Sequence, residues 1–258
     1  VLIASGLGAA LASRSVRLSS VHGVGGAAVG CAIGLLQVLR VLWRGLPEAW
    51  GRAGSVPFGA FSIEIDPLSA LFLLPILGLS ALAALYGQEY LAAWRGRKSP
   101  GPSWMFFNTL VASMVLVVIA RNAVLFLVAW ELMSLASFFL VTFEHEKTDV
   151  QRAGWIYLVA THIGTAFLFG LFVLLGQKAG SLDFSTFGSS PDARAGLLFV
   201  LAVIGFGTKA GFMPMHVWLP EAHPAAPSHV SALMSGVMIK TGIYGLVRVL
   251  TILGPPPP

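Results

Sequence analysis

Glu131, Lys209 and Lys240 are ionisable side chains set inside long apolar stretches, and their type and depth are the first sign of chemistry in this sequence. Glu131 follows Val128-Ala129-Trp130, Lys209 lies within Gly205–Phe212, and Lys240 lies within Gly236–Gly242. A charge at such a depth costs roughly 2.5–3.5 kcal/mol even on a lenient membrane-insertion scale. One such residue has a plain reading, as a side chain that snorkels to the interface or as half of a structural ion pair. One acid and two bases, on helices able to pack together, point instead to charge movement. Burial disfavours the charged form of an ionisable group, and a nearby opposite charge restores it. A Glu–Lys pair that opens and closes therefore takes up and releases a proton, with a titration that belongs to the pair.

Lys209 also stands at a predicted helix break. Gly205, Gly207 and Gly211 surround it and Pro214 follows. In a regular helix Pro214 would remove a backbone donor and clash with the Ala210 carbonyl. Broken helices are tolerated within membranes where they are buried in protein or line a cavity, and transporters place ion sites at them. A simple proline kink is the competing expectation. The glycine spacing matches neither a dinucleotide fingerprint nor a P-loop.

His216, His223 and His229 follow across a Pro-rich stretch, and His162 lies between Thr161 and Thr165 in another apolar run. Histidine titrates near physiological pH, so all four are candidates for passing protons between water and a buried lysine. Interfacial packing, or for His162 a hydrogen-bonded core position, is the alternative. If the helices continued in phase, His216 would share a face with Lys209, and His229 with Lys240. The spacing fits no zinc signature, and no metal site is expected.

The elements that position these residues follow from composition. The chain has 258 residues, 56% of them hydrophobic and 10% charged, where a soluble domain carries roughly 25% charge. Its apolar runs are long enough to cross about 30 Å of hydrocarbon. The expected fold is all-α, a polytopic transmembrane bundle with spans near 23–43, 67–87, 103–120, 122–142, 153–177, 196–219 and 228–251, preceded by a partial first span. Arg121-Asn122 is short enough to make the fourth and fifth spans a helical hairpin, and Gly180 to Arg194 reads as an exposed loop. Gly26, Gly30 and Gly34 recur every fourth residue and predict a close-packing seam. The net charge of +5 suits anionic headgroups, but the basic residues are scattered, which excludes a nucleic-acid stripe. They divide evenly between the two sets of loops, so they do not orient the chain, although Arg95-Gly-Arg-Lys98 leans towards a cytoplasmic location. Cys31 is the only cysteine and reads as a packing residue; this chain alone cannot ligate an iron–sulfur cluster through cysteine. Val1 begins inside an apolar run and the chain ends in Gly254 and four prolines, so a truncated sequence is expected.

At these residues the sequence resembles a known family. From about Phe106 to Arg248 it is similar to the antiporter-like membrane subunits of respiratory complex I, Mrp-type cation/proton antiporters and membrane-bound hydrogenases. The resemblance rests on Trp130-Glu131-Leu132-Met133-Ser134, Gly207–Phe212, Pro214–Pro220, Ala222-His223-Pro224 and Pro227–Leu233, continuing to Lys240. Lys240, with Ala232–Met238 before it, looks most like the large membrane subunit of formate hydrogenlyase and related group 4 hydrogenases. Ser62–Pro67 is reminiscent of the segment before that family's third helix. The resemblance implies N-terminal helices over 1–100, the first of two inverted five-helix repeats over 101–252, and a Pro-rich truncated end over 253–258. It implies Glu131 as the essential glutamate, Lys209 as its partner in the broken seventh helix, and Lys240 as the bridging lysine. The function implied is proton translocation in a redox-driven complex of hydrogenase or NADH:quinone oxidoreductase type. A secondary cation/proton antiporter, or a passive scaffold for a peripheral enzyme, are the alternatives. No cofactor or redox centre is expected in this chain. The partners implied are protons, other membrane subunits and a peripheral redox arm, in a bacterial or archaeal cytoplasmic membrane.

Overall fold

Where the apolar runs break, the sequence supplies helix caps. Asp66 accepts the Ser69 N–H at 2.7 Å, with Pro67 in the first turn, and so starts a helix that runs Pro67–Ala92. Asn122 accepts the Val124 and Leu125 N–H groups and starts the helix Ala123–Val141. Gly45 and Gly180, both with left-handed φ, end two others. The structure, a computed structural model, describes residues 1–52, 61–94, 96–188 and 194–253. Arg95, part of the expected 180–194 loop and the 254–258 end fall outside these.

In chain order the described elements are α1 (Leu2–Leu11), α2 (Val16–Arg44), β1 (Glu48–Arg52), β2 (Phe61–Ile65), α3 (Pro67–Ala92), α4 (Pro100–Ile119) and α5 (Ala123–Val141). They continue with α6 (Thr148–Ala179), α7 (Ala195–Ala210), α8 (Leu219–Ala225), α9 (Ser228–Leu233) and α10 (Ile239–Leu253). Among the described residues seven helical segments are long and apolar enough to cross a membrane, α7 through α8 forming one of them and α9 through α10 another. These are the seven full spans expected from hydropathy, and α1 occupies the place of the partial one. The first hundred residues pack directly on the rest: Asn108 on α4 donates to the Gly23 carbonyl at 3.0 Å, and one apolar core runs through both parts. The expected glycine seam on α2 is used in this way, Gly26 and Gly30 against α1 and Gly34 against Leu77 of α3.

One element departs from the all-helical expectation. β1 and β2 pair antiparallel, with Glu48 opposite Ile65 and Arg52 opposite Phe61. Each strand has five residues of mixed polarity, so no long apolar period announces it. The hairpin is tied to the bundle where Arg121 N–H bonds the Ser62 carbonyl at 3.0 Å, at the turn between α4 and α5.

Beside that tie lies a clamp of four charges. Arg248, near the end of α10, donates to both Asp66 oxygens at 2.6 and 2.9 Å. Arg121 reaches Asp66 at 3.2 Å and Glu64 at 3.4 Å, and Tyr244 donates to the Val118 carbonyl at 2.5 Å. One carboxylate thus holds together the start of α3, the α4–α5 turn and the end of α10. Burial works to raise the Asp66 pKa, but the hydrogen bonds from Arg248 and Ser69 prevail and hold it well below the usual carboxylate range. The stability it contributes is therefore complete above the unfolded value of about 3.9 and is lost only as pH falls through the depressed folded value. Asp66→Asn is expected to destabilise the detergent-solubilised protein at pH 7 by about 1–4 kcal/mol, between the exposed-pair and buried-pair limits. The deficit should vanish in strong acid, where the wild type has lost the same charge. Thermal unfolding of the two proteins from pH 7 downward checks this; equal stability at pH 7 would remove the clamp's importance.

Candidate functional site

Lys209 is the penultimate residue of α7, and the helix does break there. Gly211 has φ of 77° and caps α7, the Met213–Pro214 peptide is cis, and a 3₁₀ turn over Met215–Trp218 leads into α8. A side chain other than glycine is strained at that φ. The break frees carbonyls near the end of α7, and the indole N–H of buried Trp218 donates to one of them, Thr208 O, at 2.8 Å. The discontinuity expected around Pro214 is thus real. α10 crosses close to it: a Cβ on Gly242 would lie 2.6 Å from the Phe206 carbonyl oxygen and 2.8 Å from the Ala210 nitrogen.

The side chain of Lys209 turns into the bundle and is 2% exposed. Its ammonium donates to Ser134 Oγ at 2.9 Å and to Tyr157 Oη at 3.0 Å. It also faces the rings of Tyr157 and Trp130, at 5.3 and 5.8 Å from their centroids. Both oxygens have an outlet for their own protons. Ser134 donates to the Trp130 carbonyl at 3.1 Å, and Tyr157 shares a 2.5 Å hydrogen bond with Ser137. The ammonium is therefore held by neutral acceptors and aromatic faces, with no carboxylate in contact among the described residues.

Glu131 lies one helical turn before Ser134 on α5. Its partner in contact is His162 Nε2, at 3.3 Å. The other carboxylate oxygen is enclosed without a hydrogen bond from a described residue. The expected Glu131–Lys209 pair is thus separated, the acid to His162 and the base to Ser134 and Tyr157. His162 sits on the exposed face of α6.

Lys240 follows a π-helical turn, Met234–Met238, and its ammonium donates to the Ser235 carbonyl at 2.9 Å on an exposed face. The π turn carries one residue more than an α turn, which rotates everything after it. Hence His229, buried against Tyr90 and Phe107, does not share a face with Lys240. The break likewise resets the phase between Lys209 and His216. His223 on α8 stacks on Trp218, with Nδ1 at 3.1 Å from Ser231 Oγ. Among the described residues, no group of three His, Cys, Asp or Glu side chains could hold a metal ion.

Sequence reasoning passed over Ser134, Tyr157, Trp130 and Trp218 as contributors. Ser134 had a usable signal, since it follows Glu131 by three positions and so shares its helix face. Tyr157 had none, because only the packing of α6 on α5 brings it to the lysine.

Comparison with known proteins places this arrangement. Residues 120–255, more than half of the chain, match the family described as NADH:quinone oxidoreductase/Mrp antiporter, transmembrane region. Residues 50–98 match the N-terminus of chain 5 of NADH-ubiquinone oxidoreductase (complex I). The chain is 41% identical over 223 residues to hydrogenase-4 component B of Escherichia coli, covering 86% of this chain and 33% of that protein. It is 31% identical to formate hydrogenlyase subunit 3 of the same organism over 234 residues, 88% of this chain and 36% of that one. The structure superposes on the Mrp complex from Dietzia sp. with a TM-score of 0.80 and 26% identity, over 98% of this chain and 28% of the other. The chain thus spans about a third of the length of these curated relatives.

The shell around Lys209 makes a non-additive prediction. Ser134→Ala or Tyr157→Phe alone leaves the ammonium one hydroxyl, at about 1–3 kcal/mol each for the lost bond. Together they leave a buried charge with none, so the double variant should cost more than the sum. Thermal unfolding of all four proteins measures the coupling; strict additivity would show that the two oxygens do not act on one group.

Proposed function

The chain belongs to the NADH:quinone oxidoreductase/Mrp antiporter transmembrane family, and we propose that it is the proton-translocating membrane subunit of a redox-driven complex, of hydrogenase or NADH:quinone oxidoreductase type. It is a multi-pass membrane protein, and we propose as its partners other membrane subunits and a peripheral redox arm that carries the cofactors. The observation that supports this best is the state of Lys209: 2% exposed, at a helix break, on neutral oxygens, with Glu131 not in contact but one turn before Ser134, the residue that receives the ammonium. A structural ion pair would be closed. This one is open, and its two halves have separate partners to which each can return.

In the proposed cycle Glu131 and Lys209 are the switching pair. When Glu131 stays with His162, nothing in contact compensates the Lys209 charge, and its proton is favoured to leave. When the carboxylate swings towards Lys209, the ammonium is restabilised and takes up a proton. Lys240 then carries the charge onward. The path between the lysines runs past Tyr157, whose hydroxyl lies 3.9 Å from the Met238 sulfur at the π turn. His216 in the 3₁₀ turn, His223 on α8 and His229 on α9 are secondary relay candidates.

The second reading, a cation/proton antiporter working without redox partners, draws on the likeness to the Mrp complex and to a probable K(+)/H(+) antiporter protein of Rhizobium meliloti. The latter is 33% identical over 195 residues, 73% of this chain and 19% of that one. Proton flux that needs an electron donor separates the two readings. A passive scaffold leaves the three intramembrane charges without a role.

The test uses the complete complex in sealed vesicles. Glu131→Gln and Lys209→Ala should each reduce proton pumping to background while the complex still assembles. Lys240→Met should stop translocation, and Lys240→Arg should impair it, because guanidinium keeps its proton at physiological pH. Full pumping in either of the first two variants would sink the switching pair; an arginine as good as lysine at 240 would make that residue an electrostatic fixture.

A further inference from the structure

The charged clamp borders a cavity of about 370 Å³. Its rim residues Trp50, Ser185 and Thr251 are exposed, and Asp66, Arg121 and Arg248 line its wall. A space of that size, open at its rim and with Glu64, Asp66, Arg121 and Arg248 on its wall, has room for many waters. Phe184 lines it too, and behind Phe184 the character of the protein changes abruptly. The next void has a volume of about 10 Å³ and is lined by Phe126, Phe172, Phe206 and Val249, sharing Phe184, Arg248 and Ile252 with the clamp cavity. A space at or below the size of one water, with apolar walls, stays dry. The rings continue inward without interruption. Phe184 stacks on Phe172 at 5.6 Å, and Phe126 touches Phe172, Phe206 and Trp130 at 5.5, 5.9 and 5.6 Å. Trp130 is the ring that faces the Lys209 ammonium.

Phe184 differs from the other rings in coming from a connection between helices. That connection is stitched to the α4–α5 turn by Ala123 N–H to Leu182 O at 2.9 Å, Phe184 N–H to Arg121 O at 2.8 Å, and Asn122 Nδ2 to Asp183 Oδ1 at 2.8 Å. The same turn supplies Arg121 to the clamp. The outermost ring is therefore set in place by short polar ties to the turn, whereas Phe126, Phe172 and Phe206 are carried on spanning helices.

We infer that Phe184, Phe172, Phe126 and Phe206 form a closed aromatic gate that keeps the water of the clamp cavity from reaching Lys209. On the reading of Lys209 as a proton site, the gate denies it exchange with the hairpin side of the membrane in this conformation. Without such a seal, a lysine open to both sides would short-circuit whatever gradient the complex builds.

Solvent access tests the gate independently of proton movement. In the assembled complex carrying Cys31→Ser, single cysteines are placed at Thr251, on the rim, and at Val249, behind Phe184. A membrane-impermeant maleimide is added to vesicles of both orientations, and labelling of this subunit is followed by mass. Thr251→Cys should react from the hairpin side, and Val249→Cys at least tenfold more slowly. Adding Phe184→Ala should bring Val249→Cys to within a few-fold of the rim rate, and Phe184→Leu should keep it protected. Equal reactivity at 249 and 251, or protection of both, overturns the gate. That first comparison leaves the rings intact, so it decides even where Phe184→Ala does not assemble. Continued protection at 249 in Phe184→Ala overturns the role of Phe184. Passive proton leak without electron donor should rise several-fold in Phe184→Ala; access gained with no leak leaves the gate standing and counts against Lys209 as the proton site.

Discussion

An ammonium ion withdrawn from water inside a helical bundle must receive its hydrogen bonds from the protein, or it will not stay charged. Lys209 sets that requirement here, and much of the surrounding structure follows from it. Ser134 and Tyr157 provide the oxygens, Trp130 and Tyr157 the electron-rich faces. The break after Ala210 frees backbone carbonyls that would otherwise be a second unsatisfied burden, and the Trp218 indole takes up one of them. The helix break and the buried charge are one arrangement, because the break lets α7 end in the middle of the bundle with Lys209 on its last turn.

Holding that arrangement requires α10 to cross α7 almost backbone to backbone at Gly242, and α10 is anchored at its far end by Arg248 on Asp66. The same carboxylate caps α3 and receives Arg121 from the α4–α5 turn. A single acidic side chain at the hairpin side therefore ties the start of α5, which carries Glu131, to α10, which carries Lys240 and packs on α7 at Gly242. The aromatic rings between this clamp and Lys209 separate two environments with opposite needs. Paired arginines and carboxylates tolerate water well, whereas a lysine whose charge is to be switched needs a dry surrounding in which a distant carboxylate still matters.

The three intramembrane charges are not equivalent. Lys209 is enclosed, Glu131 is partly exposed and bonded to His162 on an outer face, and Lys240 rests on its own backbone at an exposed surface. Their environments therefore differ in depth as well as in partner.

Residue types and their order in the chain were enough to establish the class of protein. Charge scarcity and apolar length dictated seven spans, because a helix is the only open segment that satisfies its own backbone in lipid. The glycines and Pro214 pointed to the broken helix, since a proline removes a backbone donor and glycine permits the left-handed cap, although Pro75 shows that a proline alone does not end a helix here. The depth of Glu131, Lys209 and Lys240 singled them out, because charge in an apolar run is costly wherever the run is placed. What the sequence left open were the relations that depend on phase and packing. The five-residue strands carried too little periodicity to be seen, and the π turn at Met234–Met238 moved Lys240 off the face of His229. Whether Glu131 met Lys209 or His162 was decided by how α5, α6 and α7 lie against one another. So was the choice of Tyr157 as the second ligand of the lysine, for a hydrogen bond between distant residues is set by distances that no single helix contains.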